Sequence, residues 1–140
     1  MKVLLDTNII IDAFTDREPF ADLAGQILLA IELKKIDGYI TPNLLIDTSY
    51  HLQHHLHNKQ TVREYVKSAL KIFKIIDLTG VDCCQAHHSE MVDFKDSVLA
   101  FSAYRNGINL IITRNTKDFK NSPIPAITPK NFLAQYLQNS

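Results

Sequence analysis

The chain opens on a short apolar run, Val3-Leu4-Leu5, that reads as a buried strand closing at Asp6. Thr7-Asn8 then supply N-cap chemistry for a helix carrying Ile9, Ile10, Ile11 and Phe14. Glu18-Pro19 marks the start of a second helix, whose Leu23, Ile27, Leu28 and Ile31 recur at helical spacing as far as Lys34-Lys35. Gly38 punctuates the chain before a brief strand, Tyr39 to Thr41, and Pro42 opens a helix running toward His57.

The clearest amphipathic segment runs from Lys59 to Lys74, with Val62, Tyr65, Val66, Leu70 and Phe73 on one face. Ile75-Ile76-Asp77-Leu78 reads as the next strand, and Gly80 to His88 and Asp93 to Asn106 as helices, the second capped by Gly107. Leu110-Ile111-Ile112-Thr113 is apolar almost throughout, as strands buried on both faces are. Ala126-Ile127 makes a last short strand before a helix from Pro129 with Phe132, Leu133, Tyr136 and Leu137 inward. Strands alternating with helices predict a parallel sheet covered on both faces. The loop from Lys117 to Pro125 is the most irregular stretch, and with no repeat or linker the 140 residues read as a single domain, 1–140.

Composition narrows the function classes. Hydrophobic residues make up 46% of the chain, enough for a real core. No run approaches the ~18 apolar residues of a membrane span, and Met1-Lys2 leads into a strand rather than a signal peptide, so a cytoplasmic protein is expected. Cys83 and Cys84 are adjacent and match no metal or redox spacing, which leaves buried or idle thiols. Fifteen Lys+Arg balance fifteen Asp+Glu, so nucleic acid would have to be held by a local patch rather than by bulk charge.

In an open parallel sheet, ligands bind in the crevice at the carboxyl ends of the strands. Asp6 closes the first strand there, and Thr113-Arg114-Asn115 closes the Leu110 strand, with Asp118 shortly after. Asp47 near the start of one helix, and Asp93 and Asp96 at the start of another, can face the same crevice. Carboxylates gathered in one place repel each other, and a hard divalent cation relieves that repulsion. Each acid also has a plain structural reading: Asp93 and Asp96 as helix-start acids, Asp6 as part of a turn, Asp118 as a loop acid. Asp47, beside Leu44-Leu45-Ile46, needs a partner if buried.

Three blocks, Leu4-Leu5-Asp6-Thr7-Asn8-Ile9-Ile10, Asp93-Phe94-Lys95-Asp96 and Ile112-Thr113-Arg114-Asn115-Thr116-Lys117-Asp118-Phe119, closely resemble the PIN domain as found in VapC-like toxins. Arg17-Glu18-Pro19-Phe20 and Ser122-Pro123-Ile124-Pro125 extend the resemblance over essentially the whole chain. It implies a three-layer α/β/α sandwich with a central parallel sheet of four or five strands. It also implies an Mg²⁺- or Mn²⁺-dependent endoribonuclease, the toxin of a toxin-antitoxin pair, with an antitoxin partner and a homodimeric assembly. Asp6, Asp47, Asp96 and Asp118 are the implied catalytic acids, the first three binding metal. Thr7, Asn8, Asp93, Thr113 and Asn115 support them, and Arg114, Lys117 and Lys120 are placed to hold RNA. Three positions depart from the pattern: Asp47 where many relatives carry Glu, Lys95 where many carry an acid, and Asn115 where others have Asp.

Other features have bland readings. Lys59, Arg63, Lys67, Lys71 and Lys74 form a basic stripe that serves as a phosphate track or as a solvated helix face. His51, His54, His55 and His57 carry helical pair spacing for zinc but lack companion ligands. Phe20, Leu23, Ile27 and Leu28 belong to the core or to a subunit surface. Two rivals remain: a PIN-like module that binds RNA or protein without cutting, and an aspartyl phosphatase of the haloacid type. The latter also begins with a strand ending in Asp but wants an acid where Asn8 stands.

Overall fold

The structure, a computed structural model, describes residues 1–137. Five strands, β1 (Lys2–Leu5), β2 (Asp37–Ile40), β3 (Lys74–Ile75), β4 (Leu110–Ile112) and β5 (Ala126–Ile127), form one all-parallel sheet in the order β3-β2-β1-β4-β5. Because side chains alternate along a strand, β1 feeds two cores at once. Val3 and Leu5 enter one with Ile40, Leu110 and Ile112, while Leu4 and Ile111 enter the other.

The first core is closed by α1 (Thr7–Phe14), α2 (Ala21–Glu32), α3 (Pro42–Leu56), α4 (Lys59–Ile72) and α7 (Pro129–Phe132), through Ile9, Ile27, Leu44, Ala69 and Phe132. The second is closed by α6 (Phe94–Arg105) through Leu99, Ala100 and Ala103, with α5 (Gly80–His88) packed on α6. The layers are therefore helix, sheet, helix, as the resemblance implies. Among the described residues no helix is long and apolar enough to cross a membrane.

Several local expectations shift. The N-cap of α1 is Asp6, whose carboxylate accepts from the Thr7 N–H, so Thr7 and Asn8 lie inside the helix. Helix α2 begins at Ala21, not at Pro19. Gly38 lies within β2 instead of ahead of it, because the sheet passes so close to α2 there that a Cβ would sit 2.5 Å from Ile31 Cδ1. The third strand ends at Ile75: β2 stops at Ile40, Thr41 turns into the cap of α3, and Ile76 makes the last bond, donating to Ile40 O, before the chain leaves the ladder.

On α4 the buried positions are Tyr65 and Ala69, whereas Leu70, expected inward, is 55% exposed. Beyond Pro129 the chain makes only a four-residue α-helix and then a π-helical turn, Leu133–Leu137, on which Tyr136 faces solvent and stacks on Phe132. Both cysteines are free and exposed, which removes the buried alternative. The irregular Lys117 to Pro125 stretch begins within a 3₁₀ turn, Thr116–Phe119, and is pinned by buried Phe119 and Ile124.

Candidate functional site

The chain runs from β1 to β2 on one side and later enters β4 on the other, so the carboxyl ends of β1 and β4 flank the switch point of the sheet. Two residues extend this pair of strands. Asp6 donates its N–H to Ile112 O at 3.0 Å, and Thr113 donates its N–H to Ile127 O at 3.0 Å, which fixes both backbones. Their side chains then meet: Thr113 Oγ1 donates to Asp6 Oδ2 at 2.8 Å, while Asp6 Oδ1 accepts from the Thr7 N–H at 2.8 Å.

Thr113 is itself held. Its Oγ1 accepts from Asn8 Nδ2 at 3.3 Å and from the Asn115 N–H at 3.1 Å, and Asn8 Oδ1 accepts from the Arg114 N–H. Thus the Thr113 hydroxyl and the Thr7 N–H hold the Asp6 carboxylate, Asn8 and Asn115 hold Thr113 in turn, and Asp6 cannot swing away without breaking that network. Thr7 Oγ1 is buried without a hydrogen-bond partner.

The remaining acids come from three further places. Asp93 is the N-cap of α6, accepting from the Asp96 N–H at 2.9 Å, and its cap geometry aims the first turn of that helix at the site. Asp118 rides on the 3₁₀ turn after β4. Asp93, Asp96, Asp118, Lys117 and Lys120 line a cleft of about 440 Å³. Asp47 approaches from α3 and pairs with Lys95 of α6, Nζ to Oδ2 at 2.8 Å. Asp47 is exposed, so its partner is not compelled by burial.

Electrostatics tie these acids together. Burial raises the Asp6 carboxyl above its ordinary range, against the pull of the Thr113 hydroxyl, the Thr7 N–H and the Lys95 charge, with Asp118 adding to the rise. Asp96 is pushed up to about 7, first by burial and then by the charges of Asp6, Asp93 and Asp118, against which Lys95 acts. A carboxyl that resists ionisation because it is buried and other carboxylates face it is one whose charge a hard cation would favour.

The donor set fits such a cation: all-oxygen ligands, a desolvated Asp6, and an orphaned threonine hydroxyl beside it. Mg²⁺ needs only one or two carboxylates and keeps its waters, so the set does not have to be a closed cage. Among the described residues no three acids, histidines or cysteines are already arranged as a metal group.

Arg114, expected to face RNA, is turned inward. Its Nε donates to Asp12 Oδ2 at 2.6 Å and its Nη2 to Asp12 Oδ1 at 3.3 Å, and the guanidinium lies 4.1 Å from the centroid of the Phe20 ring. Asp12 is fully buried and is the site-supporting residue that the sequence reading did not single out. Its signal was available: an acid one position after Ile9-Ile10-Ile11 on a core-facing helix requires a cationic partner. Lys117 and Lys120 are exposed on the cleft rim. The histidines of α3 are exposed, with His51 stacked on His55.

An open parallel sheet with acids at its switch point defines a class of α/β proteins with a polar crevice at the strand ends. The PIN domain profile matches residues 2–117, and the chain belongs to the PIN domain family. No curated protein matches it. Among solved structures it is similar to a toxin-antitoxin complex from Klebsiella pneumoniae, at 27% identity and a TM-score of 0.67 over 91% of this chain and 97% of that one. It is also similar to VapBC2 from Rickettsia felis bound to a promoter DNA fragment, at 19% identity and a TM-score of 0.68 over 91% and 98%. A third is VapC20 from Mycobacterium tuberculosis, a sarcin-ricin loop cleaving toxin, at 14% identity and a TM-score of 0.61 over 78% and 86%. The last two speak for the fold.

Proposed function

We propose that this protein is a divalent-metal-dependent endoribonuclease, the toxin of a toxin-antitoxin pair, acting in the cytoplasm. The observation that carries the reading is the gathering of Asp93, Asp96 and Asp118 in one cleft beside Asp6 at the β1/β4 switch point, with Lys117 and Lys120 on the rim. Membership of the PIN domain family and similarity to the Klebsiella toxin-antitoxin complex support it. RNA as the substrate class is supported by the fold neighbour described as cleaving the sarcin-ricin loop. An antitoxin and a second copy of the chain are the proposed partners, for which the exposed Leu29 of α2 and Leu33 at its C-cap offer apolar surface.

Asp6 and Asp96 would hold the Mg²⁺ or Mn²⁺, with Asp47 and Asp118 completing the acidic set. When bound, the ion supplies Lewis-acid polarisation of a phosphate oxygen and acidifies a water for in-line attack. The chain's own residues do the rest. Thr113 and the Thr7 N–H orient Asp6 and favour its ionised form against the effect of burial, Asn8 and Asn115 hold Thr113, and Asp93 fixes the first turn of α6 and so the place of Asp96. Lys117 and Lys120 hold phosphates of the substrate. Arg114, committed to Asp12, positions the loop that carries Asn115.

The ends of the product test this reading. Hydrolysis by an activated water leaves a 5′-phosphate, whereas attack by the ribose 2′-hydroxyl leaves a cyclic phosphate and a 5′-hydroxyl. Labelling by kinase only after phosphatase treatment is the expected result; direct labelling contradicts it. A second reading, a module that binds RNA without cutting it, draws on one feature: Lys95 neutralises Asp47, one of the acids the metal would use.

A further inference from the structure

Lys95 stands at the second residue of α6, directly after Phe94 and the cap Asp93. A cation is disfavoured at a helix N-terminus, where the backbone N–H groups already present positive charge. Helix stability therefore gives no reason for a lysine here. Its ammonium instead lies 2.8 Å from Asp47 Oδ2, across the crevice on α3, and its charge also favours the ionised forms of Asp6 and Asp96. Both partners are about half exposed, 48% for Lys95 and 45% for Asp47, so the pair contributes little to folding and is free to exchange.

We propose that Lys95 is a tethered counter-ion that occupies Asp47 in the resting protein, so that a divalent ion must displace the ammonium before Asp47 can join its ligands. The proposal rests on the metal-site reading above and adds to it a built-in competitor. Its consequence is a site tuned to weak metal binding, in which Asp6 and Asp96 receive the ion and Asp47 engages only when Lys95 lets go. Two effects need separating. A lysine that merely repels a dication would weaken binding whether or not Asp47 is ionisable. A lysine that occupies Asp47 weakens binding through Asp47, and its effect depends on that carboxylate.

The test is a double-variant cycle read by Mn²⁺ binding, using titration calorimetry or the electron paramagnetic resonance of free Mn²⁺, with circular dichroism confirming that each variant is folded. Lys95→Ala should tighten Mn²⁺ by about tenfold or more, since Asp47 is then open to the ion with no ammonium to displace. In the Asp47→Asn background the same substitution should change the affinity by less than about threefold. Lys95→Arg, which keeps the charge, should stay near the wild type. An unchanged affinity in Lys95→Ala, or an effect of equal size in the Asp47→Asn background, overturns the proposal while leaving the metal site intact. Failure of Mn²⁺ to bind the wild type and every variant overturns both the proposal and the reading beneath it.

Discussion

Thr113 and Asp6 join the carboxyl ends of the two central strands, hydroxyl to carboxylate at 2.8 Å, and this bond orients the acid on which the site is built. The residues lie 107 positions apart, so the contact exists only when β1 and β4 pair in register, with Leu5 opposite Ile112. Removing the hydroxyl while keeping the shape isolates its role. Thr113→Val should lower RNA cleavage by about 10- to 100-fold, the usual loss when a group supporting a metal ligand is removed, and Thr113→Ser should restore most of it. Initial rates at saturating metal check this; wild-type rates in Thr113→Val would remove Thr113 from the site.

The acids make the metal-free protein sensitive to pH. Asp96 is raised from an ordinary value of 3.8 to about 7, so between those values the folded state holds a proton that the unfolded chain has released. Stability in EDTA should therefore fall as pH rises from about 4 to about 7 and level off above it. Asp6, also raised, acts in the same direction. Asp96→Asn should flatten most of this slope and make the metal-free protein more stable at pH 8. Urea melts across the range measure it; stability that climbs from pH 5 to pH 7 through these groups would contradict the cluster.

Arg114 and Asp12 form a paired charge whose acid is entirely buried. Truncating one partner leaves the other uncompensated, which for buried pairs costs about 3–5 kcal/mol. Arg114→Ala is expected near the lower end, about 3 kcal/mol in urea unfolding, because Arg114 is partly exposed. Arg114→Ala combined with Asp12→Leu should recover much of the loss. A loss of the same size for Arg114→Ala with Asp12 already replaced would mean the arginine acts through Phe20 instead.

Lys117 and Lys120 should bind phosphate as point charges without reading bases. Each Lys→Ala change should weaken RNA binding uniformly across sequences and reduce the slope of log affinity against log salt by about 1. Neither should change thermal stability, since both side chains are exposed. Filter binding at several salt concentrations in EDTA is the measurement.

The layered parallel sheet was legible in the sequence because β1 and β4 are buried on both faces and so are apolar almost without interruption, and Pro42 and Gly107 mark boundaries by backbone chemistry alone. The edge strand β3 was misplaced because its two residues are fixed by where β2 ends, a tertiary fact that the apolar run Ile75-Ile76 does not contain. Helix periodicity likewise overstated the face of α4: Leu70 has the right spacing but no element covers it. For the candidate site, the acids could be gathered from strand ends and helix starts. The partners could not, because Asp12 with Arg114 and Asp47 with Lys95 are pairings between distant segments, and the same side chains would read equally well as solvated charges.

The most direct measurement is cleavage of a mixed RNA pool by the purified protein in Mg²⁺, Mn²⁺ or EDTA, beside the Asp6→Asn, Asp96→Asn double variant. The account predicts cutting in either metal, none in EDTA, restoration on returning the ion, and none by the folded variant in any condition. Cutting that persists in EDTA or in the variant, or a wild type that binds RNA yet stays inert in every metal, would contradict it.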